Sequence, residues 1–212
     1  MNTDGDDMFN QGNYYKEQKD YENMKKYYLM AIERGNSNAM FELGAFYQEQ
    51  KGKVFDHDNI LQNNMKKYYL MAIEKGHSGA MYNLGQHYYG WKDCSNECKD
   101  NMKNYFLMAA NKGHIGAMRR IGSYYEGEKD YDNMKKYYSM AIEKGDIDAL
   151  HYLGCYYCGK KDYDNMKKYF LMAIEKGHSN AMSWFGYYYK EQKDYDNMKK
   201  YYLMAIEKGH IV

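Results

Sequence analysis

The stretch MKKYYLMAIERG, residues 24–35, decides the fold because the chain keeps returning to it. Near-copies begin at Met24, Met65, Met102, Met134, Met166 and Met198, at spacings of 41, 37, 32, 32 and 32 residues. Between them runs a weaker pattern, A-M-x-x-L-G-x-x-Y, whose glycine falls at Gly44, Gly85, Gly122, Gly154 and Gly186. Gly12 precedes Gly44 by the same 32 residues and marks a degenerate first copy. Six two-part units therefore fill the 212 residues as a single repeat domain, with approximate bounds 7–38, 39–79, 80–116, 117–148, 149–180 and 181–212.

Both parts of a unit read as helices. Met24, Tyr27, Tyr28, Ala31 and Ile32 fall at i, i+3, i+4, i+7 and i+8, one apolar stripe, with Lys25, Lys26, Glu33 and Arg34 opposite. Glu22, Asp132, Asp164 and Asp196 are expected just before this second helix, where a negative charge favours the dipole. Gly35, Gly76, Gly113, Gly145, Gly177 and Gly209 stand where a left-handed residue closes it. Ser37, Ser78, Asp148 and Ser179 are expected to cap the next first helix. An amphipathic hairpin cannot bury its own stripe, so neighbours must stack, and the expected class is an all-α solenoid. The extra nine residues between Gly44 and Met65 and five between Gly85 and Met102 fall in loops within a unit.

Composition narrows the function classes. The chain has 28 Tyr, 18 Met, no Pro and a formal charge of +1, with a mean hydropathy of −0.96. An aromatic share of 17% excludes a disordered polar chain. No run of about 18 apolar residues exists to span a membrane. A charge near zero argues against a polyanion binder. The opening MNTDGDDMFN is acidic and lacks the regions of a signal peptide, so four cysteines are expected as reduced thiols in a cytoplasmic protein.

Taken together, Leu84-Gly85, Tyr88, Tyr138, Ala141 and the Gly177-His178 pair resemble the Sel-one-like repeat (SLR), a relative of the tetratricopeptide (TPR) repeat. The resemblance implies a right-handed α/α solenoid and an adaptor that holds a partner in a concave groove lined by the first helices. The chain departs from the family pattern in a shorter inter-helix turn, E-Q-K-D-Y, in a larger Ile at Ile142, and in Leu-Met pairs such as Leu29-Met30, Leu70-Met71 and Leu203-Met204. An exposed methionine row there is a candidate contact surface. The Asn, Lys, Tyr and Ile bias also resembles repeat proteins of giant DNA viruses of amoebae, which implies a host-cell cytoplasm.

The second helices are nearly identical, whereas the first helices differ at the positions expected to face the groove. Those positions make Phe41, Tyr82, Gln86, Tyr89, Arg119, Ser123, Glu126, His151, Cys155, Ser183, Tyr187 and Lys190 the candidate partner-binding residues, with Ala45, Gln48 and Cys158 on the same lines. His151, Cys155 and Cys158 stand at i, i+4 and i+7, a secondary metal-ligand candidate; a neighbouring pair reaches one ion, all three do not. Cys94 and Cys98 form a local disulfide only in an oxidising compartment. Gly154–Lys161 mimics a P-loop without its Ser/Thr or its preceding strand. His77, His114, His178 and His210 recur at one repeat position and read as structural.

The expected function is a non-enzymatic adaptor for an unidentified protein or peptide, without cofactor, membrane or nucleic-acid partner. The alternatives are an RNA-binding repeat using tyrosine stacking and pairs such as Lys135-Lys136, or a self-assembling structural protein. Asp7 and Gln11 suit a solvated first helix. The stripe of Met198, Tyr201, Tyr202, Ala205 and Ile206 has no following helix in the sequence and is expected to support self-association.

Overall fold

The computed structural model describes residues 3–50, 58–89 and 95–209. Among these run twelve α-helices and no strand: α1 Thr3–Glu17, α2 Tyr21–Glu33, α3 Ser37–Gln50, α4 Asp58–Glu74, α5 Ser78–Tyr89, α6 Asn96–Asn111, α7 Ile115–Gly127, α8 Tyr131–Glu143, α9 Ile147–Gly159, α10 Tyr163–Glu175, α11 Ser179–Glu191 and α12 Tyr195–Glu207. Odd-numbered helices carry the Leu-Gly pattern and even-numbered ones the MKKYY pattern, so six two-helix repeats account for all twelve. They gather into two compact halves, Met1–Ala117 and Met118–Val212, whose border falls inside α7. No described helix is long and apolar enough to cross a membrane.

Each hairpin closes by setting a ring on bare backbone. Tyr28 lies on Gly12, Tyr69 on Gly44, Phe106 on Gly85, Tyr138 on Gly122, Phe170 on Gly154 and Tyr202 on Gly186. A Cβ at Gly154 would stand 2.5 Å from the Phe170 ring, which is fully buried and has nowhere to go. That contact is why the Leu-Gly position tolerates no side chain. A second pair of rings stacks beside this seat in all six repeats: Tyr15 on Tyr27, Tyr47 on Tyr68, Tyr88 on Tyr105, Tyr125 on Tyr137, Tyr157 on Tyr169 and Tyr189 on Tyr201. Their planes lie within 15° of parallel. The surplus of tyrosine is thus largely internal packing.

Turns are as repetitive as packing. Four first helices end on a lysine in the left-handed conformation, Lys19, Lys129, Lys161 and Lys193, with φ between 57° and 60°. The Asp after each serves both helices. Asp20 N–H donates back to Tyr15 O at 3.0 Å, closing α1, and its carboxylate accepts from Asn23 N at 3.1 Å and Asn23 Nδ2 at 2.7 Å, opening α2. Asp130, Asp162 and Asp194 do the same with Asn133, Asn165 and Asn197. These bonds to Asn hold the Asp20 and Asp194 carboxyls below the usual range. The acidic residues expected ahead of the helix, Glu22, Asp132, Asp164 and Asp196, lie inside its first turn instead.

The caps of the first helices also differ from expectation. The residue immediately after each glycine performs that role: Asn36, His77, His114, Asp146 and His178 each accept from the backbone N–H three residues on, at 2.8 to 3.2 Å. Ser37, Ser78 and Ser179 are already the first helical residues, and Asp148 is the second residue of α9. The described recurring histidines, His77, His114 and His178, are thus helix caps, a structural role as expected. Residues 154–159 of the P-loop mimic lie within α9, with no strand before them among the described residues.

The Leu-Met pairs form no continuous exposed methionine row among the described residues. Leu29, Leu70, Leu171 and Leu203 are exposed, whereas Met30, Met71, Met172 and Met204 are half-buried and Met71, Met172 and Met204 pack against the core; the third repeat reverses this, with Met108 exposed and Leu107 half-buried. Asp7 and Gln11 are solvated on α1 as expected. On α12, Leu203 and Ile206 are exposed, while the corresponding Ile174 of α10 is buried in the core of the same half. Cys98 is disulfide-bonded, a correction to the expectation of four reduced thiols; Cys155 and Cys158 are free. Cys94, His210, Ile211, Val212 and most of the first insertion lie outside the described residues.

Candidate functional site: joints and groove positions

The candidate residues fall into three sets along each first helix, three residues before the repeat glycine, one after it and four after it. The first set meets the cap of the following first helix. Phe41 stacks on His77 at 4.5 Å and 17°, Tyr82 on His114 at 4.4 Å and 18°, and His151 on His178 at 4.9 Å and 22°. Where the cap is an aspartate, the set holds the one cation: Arg119 Nη1 lies 3.3 Å from Asp146 Oδ2 and is also ion-paired with Asp148. Planar ring opposite histidine and guanidinium opposite carboxylate is a matched pairing that holds consecutive repeats. Ser183, in the same set, has a buried hydroxyl without a partner among the described residues.

The joint chemistry fixes protonation. His178 Nδ1 accepts from Ala181 N–H at 3.1 Å, so the ring proton sits on Nε2, which donates to Asp148 Oδ1 at 3.1 Å. Only a neutral imidazole can accept in this way. Burial lowers the His77, His114 and His178 imidazoles below their ordinary value, and burial together with the neighbouring His178 takes His151 down to about 4. Asp148 thereby links the Arg119 joint to the His178 joint.

The second and third sets divide by what ring they face. Tyr69 OH donates to Gln48 Oε1 at 2.6 Å and accepts from Asn83 at 3.0 Å, and Tyr138 OH donates to Glu126 Oε2 at 3.2 Å. In the first repeat Asn13 does the same for Tyr28 at 2.7 Å. Where the seated ring is Phe106 or Phe170 there is no hydroxyl to satisfy, and the positions hold Gln86 and Tyr89 or Cys155 and Cys158. Ala45 is half-buried, lining a cleft of about 260 Å³ with Gln48 and Asn83. Tyr89, Ser123, Tyr187 and Lys190 are exposed.

Sequence reasoning missed Trp184. It is 47% exposed and meets the equally exposed Tyr187 edge-on at 6.2 Å. The signal was available: two residues before the repeat glycine the chain reads Glu42, Asn83, Arg120, Tyr152 and Trp184, as variable as the three chosen sets.

The metal-ligand candidate does not assemble. Cys155 Sγ approaches the His151 ring nitrogens at 3.7 and 3.9 Å, but no group of three or more ligating side chains stands together among the described residues. Burial pushes the Cys155 thiol up to about 12 and raises Cys158, the opposite of the shift that activates a nucleophilic cysteine. The lysine pairs are turned to tyrosine faces: Lys67, Lys136, Lys168 and Lys200 each sit 5.2 to 5.4 Å from the centroid of the following tyrosine.

No protein-family model matches the sequence, and no curated protein matches it either. Solved structures do. The chain is similar to a protective antigen of uropathogenic Escherichia coli that displays an SLR fold, with a TM-score of 0.73 and 20% identity over 95% of this chain and 47% of that one. A Sel1 repeat protein from Oxalobacter formigenes gives a TM-score of 0.73 and 24% identity over 96% of this chain and 87% of that one. Pseudomonas aeruginosa pilF gives 0.67 and 14% over 94% and 89%. The chain spans about half the length of the first of these. The fold is that of the SLR and TPR-like helical repeat proteins, an α/α solenoid of six two-helix repeats.

Proposed function

We propose that this chain is a non-enzymatic adaptor that binds a protein or peptide along the exposed faces of its first helices. The observation that carries the reading is the Trp184-Tyr187 pair, two large aromatics half in solvent on a scaffold whose other tyrosines are mostly stacked. Exposed Trp and Tyr of this kind anchor protein interfaces. In the C-terminal half, Ser123 and Lys190 are likewise exposed, with Glu126, Cys155 and Ser183 half-buried on the same first helices; Tyr89, exposed, and Gln86 are the candidates of the N-terminal half. Phe41, Tyr82, Arg119 and His151 act one step removed, by holding the repeats in register. A cytoplasmic location, and a viral source with its host-cell cytoplasm, belong to this proposal and rest on composition alone.

Capture from cell extract tests it. Proteins retained by the wild-type chain and lost with both Trp184→Ala and Tyr187→Ala, at unchanged melting temperature, support the reading; equal retention by all three refutes it. Self-association is a second reading, favoured by the exposed Leu203 and Ile206 of α12. A molar mass by light scattering that falls to monomer with Ile206→Glu would establish it, and a concentration-independent monomer would dispose of it. Salt-dependent retention on single-stranded RNA would instead favour the nucleic-acid alternative.

A further inference from the structure

In the C-terminal half, a cleft of about 290 Å³ is lined by Glu126, Tyr131, Cys155, Tyr156, Gly159 and Lys160. Lys160 is the C-cap of α9, its backbone fixed by bonds to Cys158 O and Tyr156 O, so only its side chain is at liberty to choose a position. It places its ammonium 4.2 Å from the Tyr131 centroid and 5.7 Å from that of Tyr156. The two rings meet at 5.2 Å and 43°, forming two walls of an angle. Neither Lys160 nor Glu126 has an ion-pair partner among the described residues. Glu126 lends one oxygen to Tyr138 OH and otherwise leaves a half-buried carboxylate beside the aromatic walls.

Two aromatic faces and an uncompensated carboxylate make a receptor for a cation. Lys160 touches only the ring part of it and leaves the carboxylate without its counter-charge. We infer that this cleft is a cation-binding pocket that takes a lysine or arginine side chain of a partner, with the Lys160 ammonium standing in for that ligand while the pocket waits. A bound cation meets the ring faces and Glu126 together, and Lys160 swings out to solvent. The corresponding position in the other three turns of this type is Gln18, Glu128 or Gln192, so among these four turns the internal stand-in is found at this one. The inference rests on the adaptor reading, since Glu126 and Cys155 belong to the same surface.

The test is a titration of the full chain with Nα-acetyl-lysine methylamide and, separately, tetramethylammonium, followed by NMR at the Tyr131 and Tyr156 ring protons. Lys160→Met removes the internal competitor and should tighten binding of both probes by roughly threefold to tenfold. Tyr131→Leu should abolish binding, Tyr131→Phe should keep it, and Glu126→Gln should weaken it by about tenfold, with circular dichroism confirming each fold. Weaker binding by Lys160→Met would mean that the lysine is itself a ligand for an anion and would overturn the inference. So would binding that survives Tyr131→Leu. A partner lost with Tyr187→Ala but kept with Tyr131→Leu would sink the pocket and leave the adaptor standing; loss of neither would sink both.

Discussion

Two successive joints of the C-terminal half do the same mechanical work with opposite chemistry. At the start of α9 the cap is Asp146, an anion with its side chain only 6% exposed, held by Arg119. At the start of α11 the cap is His178, a neutral ring held by the stacked His151. Both caps accept the same backbone hydrogen bond. What differs is the proton: the first joint needs its cap ionised, the second needs its cap uncharged. The positions on the first helices that vary most visibly are, in this set, matched to the cap that each must hold. Variation within a repeat array is therefore not by itself a record of partner recognition.

The largest expected effect removes the element that both joints share. Gly154→Ala forces a Cβ against the immobile Phe170 ring, and the shift of α9 disturbs Asp146 and His151 together. A loss of about 3 kcal/mol is expected in urea unfolding. A loss under about 0.5 kcal/mol would mean that the ring seat is softer than its burial indicates.

Acid should separate the joints. The unfolded chain protonates His151 near its ordinary value of 6.5, while the folded chain resists until about 4, so the unfolded state binds more protons over that window. Stability is full above pH 6.5 and falls as the pH drops towards 4, by about 2 to 3 kcal/mol from His151 alone. His178, lowered in the same direction, adds to the loss. Replacing the pair, as His151→Arg with His178→Asp, copies the first joint onto the second and should flatten the melting profile between pH 7 and 5. An unchanged profile would show that protonation elsewhere governs acid stability.

Arg119→Ala is expected to cost about 1 to 2 kcal/mol at neutral pH, because it strands the buried Asp146 carboxylate. The guanidinium is one-third exposed, which keeps the figure modest. A thermal melt of the variant beside the wild-type chain at pH 7 reads this directly. The smallest effect leaves both joints intact: Lys161→Gly relieves a left-handed lysine at φ 57° and should raise stability by about 0.5 to 1 kcal/mol. No gain would mean that its side chain contributes as much as its backbone strain removes.

Much of this was readable along the chain, and the failures share a cause. The glycines that close the second helices and the stripe of Met24, Tyr28 and Ala31 were assigned correctly, because helix period and left-handed termination are properties of ten consecutive residues. The caps differ from expectation by a residue or two: serine and aspartate have the strongest local preference for that position, whereas a histidine caps only through a neutral Nδ1, an acceptor with no such preference. Phe41, Tyr82, Arg119 and His151 looked like free groove residues because their partners lie 27 to 36 positions further on. Trp184 escaped notice because its exposure depends on which face of α11 the packing of Phe185 and Met182 takes up.

The sequence by itself determined the six repeats, the twelve helices and the glycines that close the second helix of each repeat, since hydrogen bonds to residues three to five apart set those features. Tertiary structure alone decided which rings lie on glycine, which cap meets which partner, which member of each Leu-Met pair faces solvent, and that Lys160 lies against Tyr131 and Tyr156. Those outcomes depend on burial and on distances between residues a repeat apart, quantities that exist only once the helices have packed.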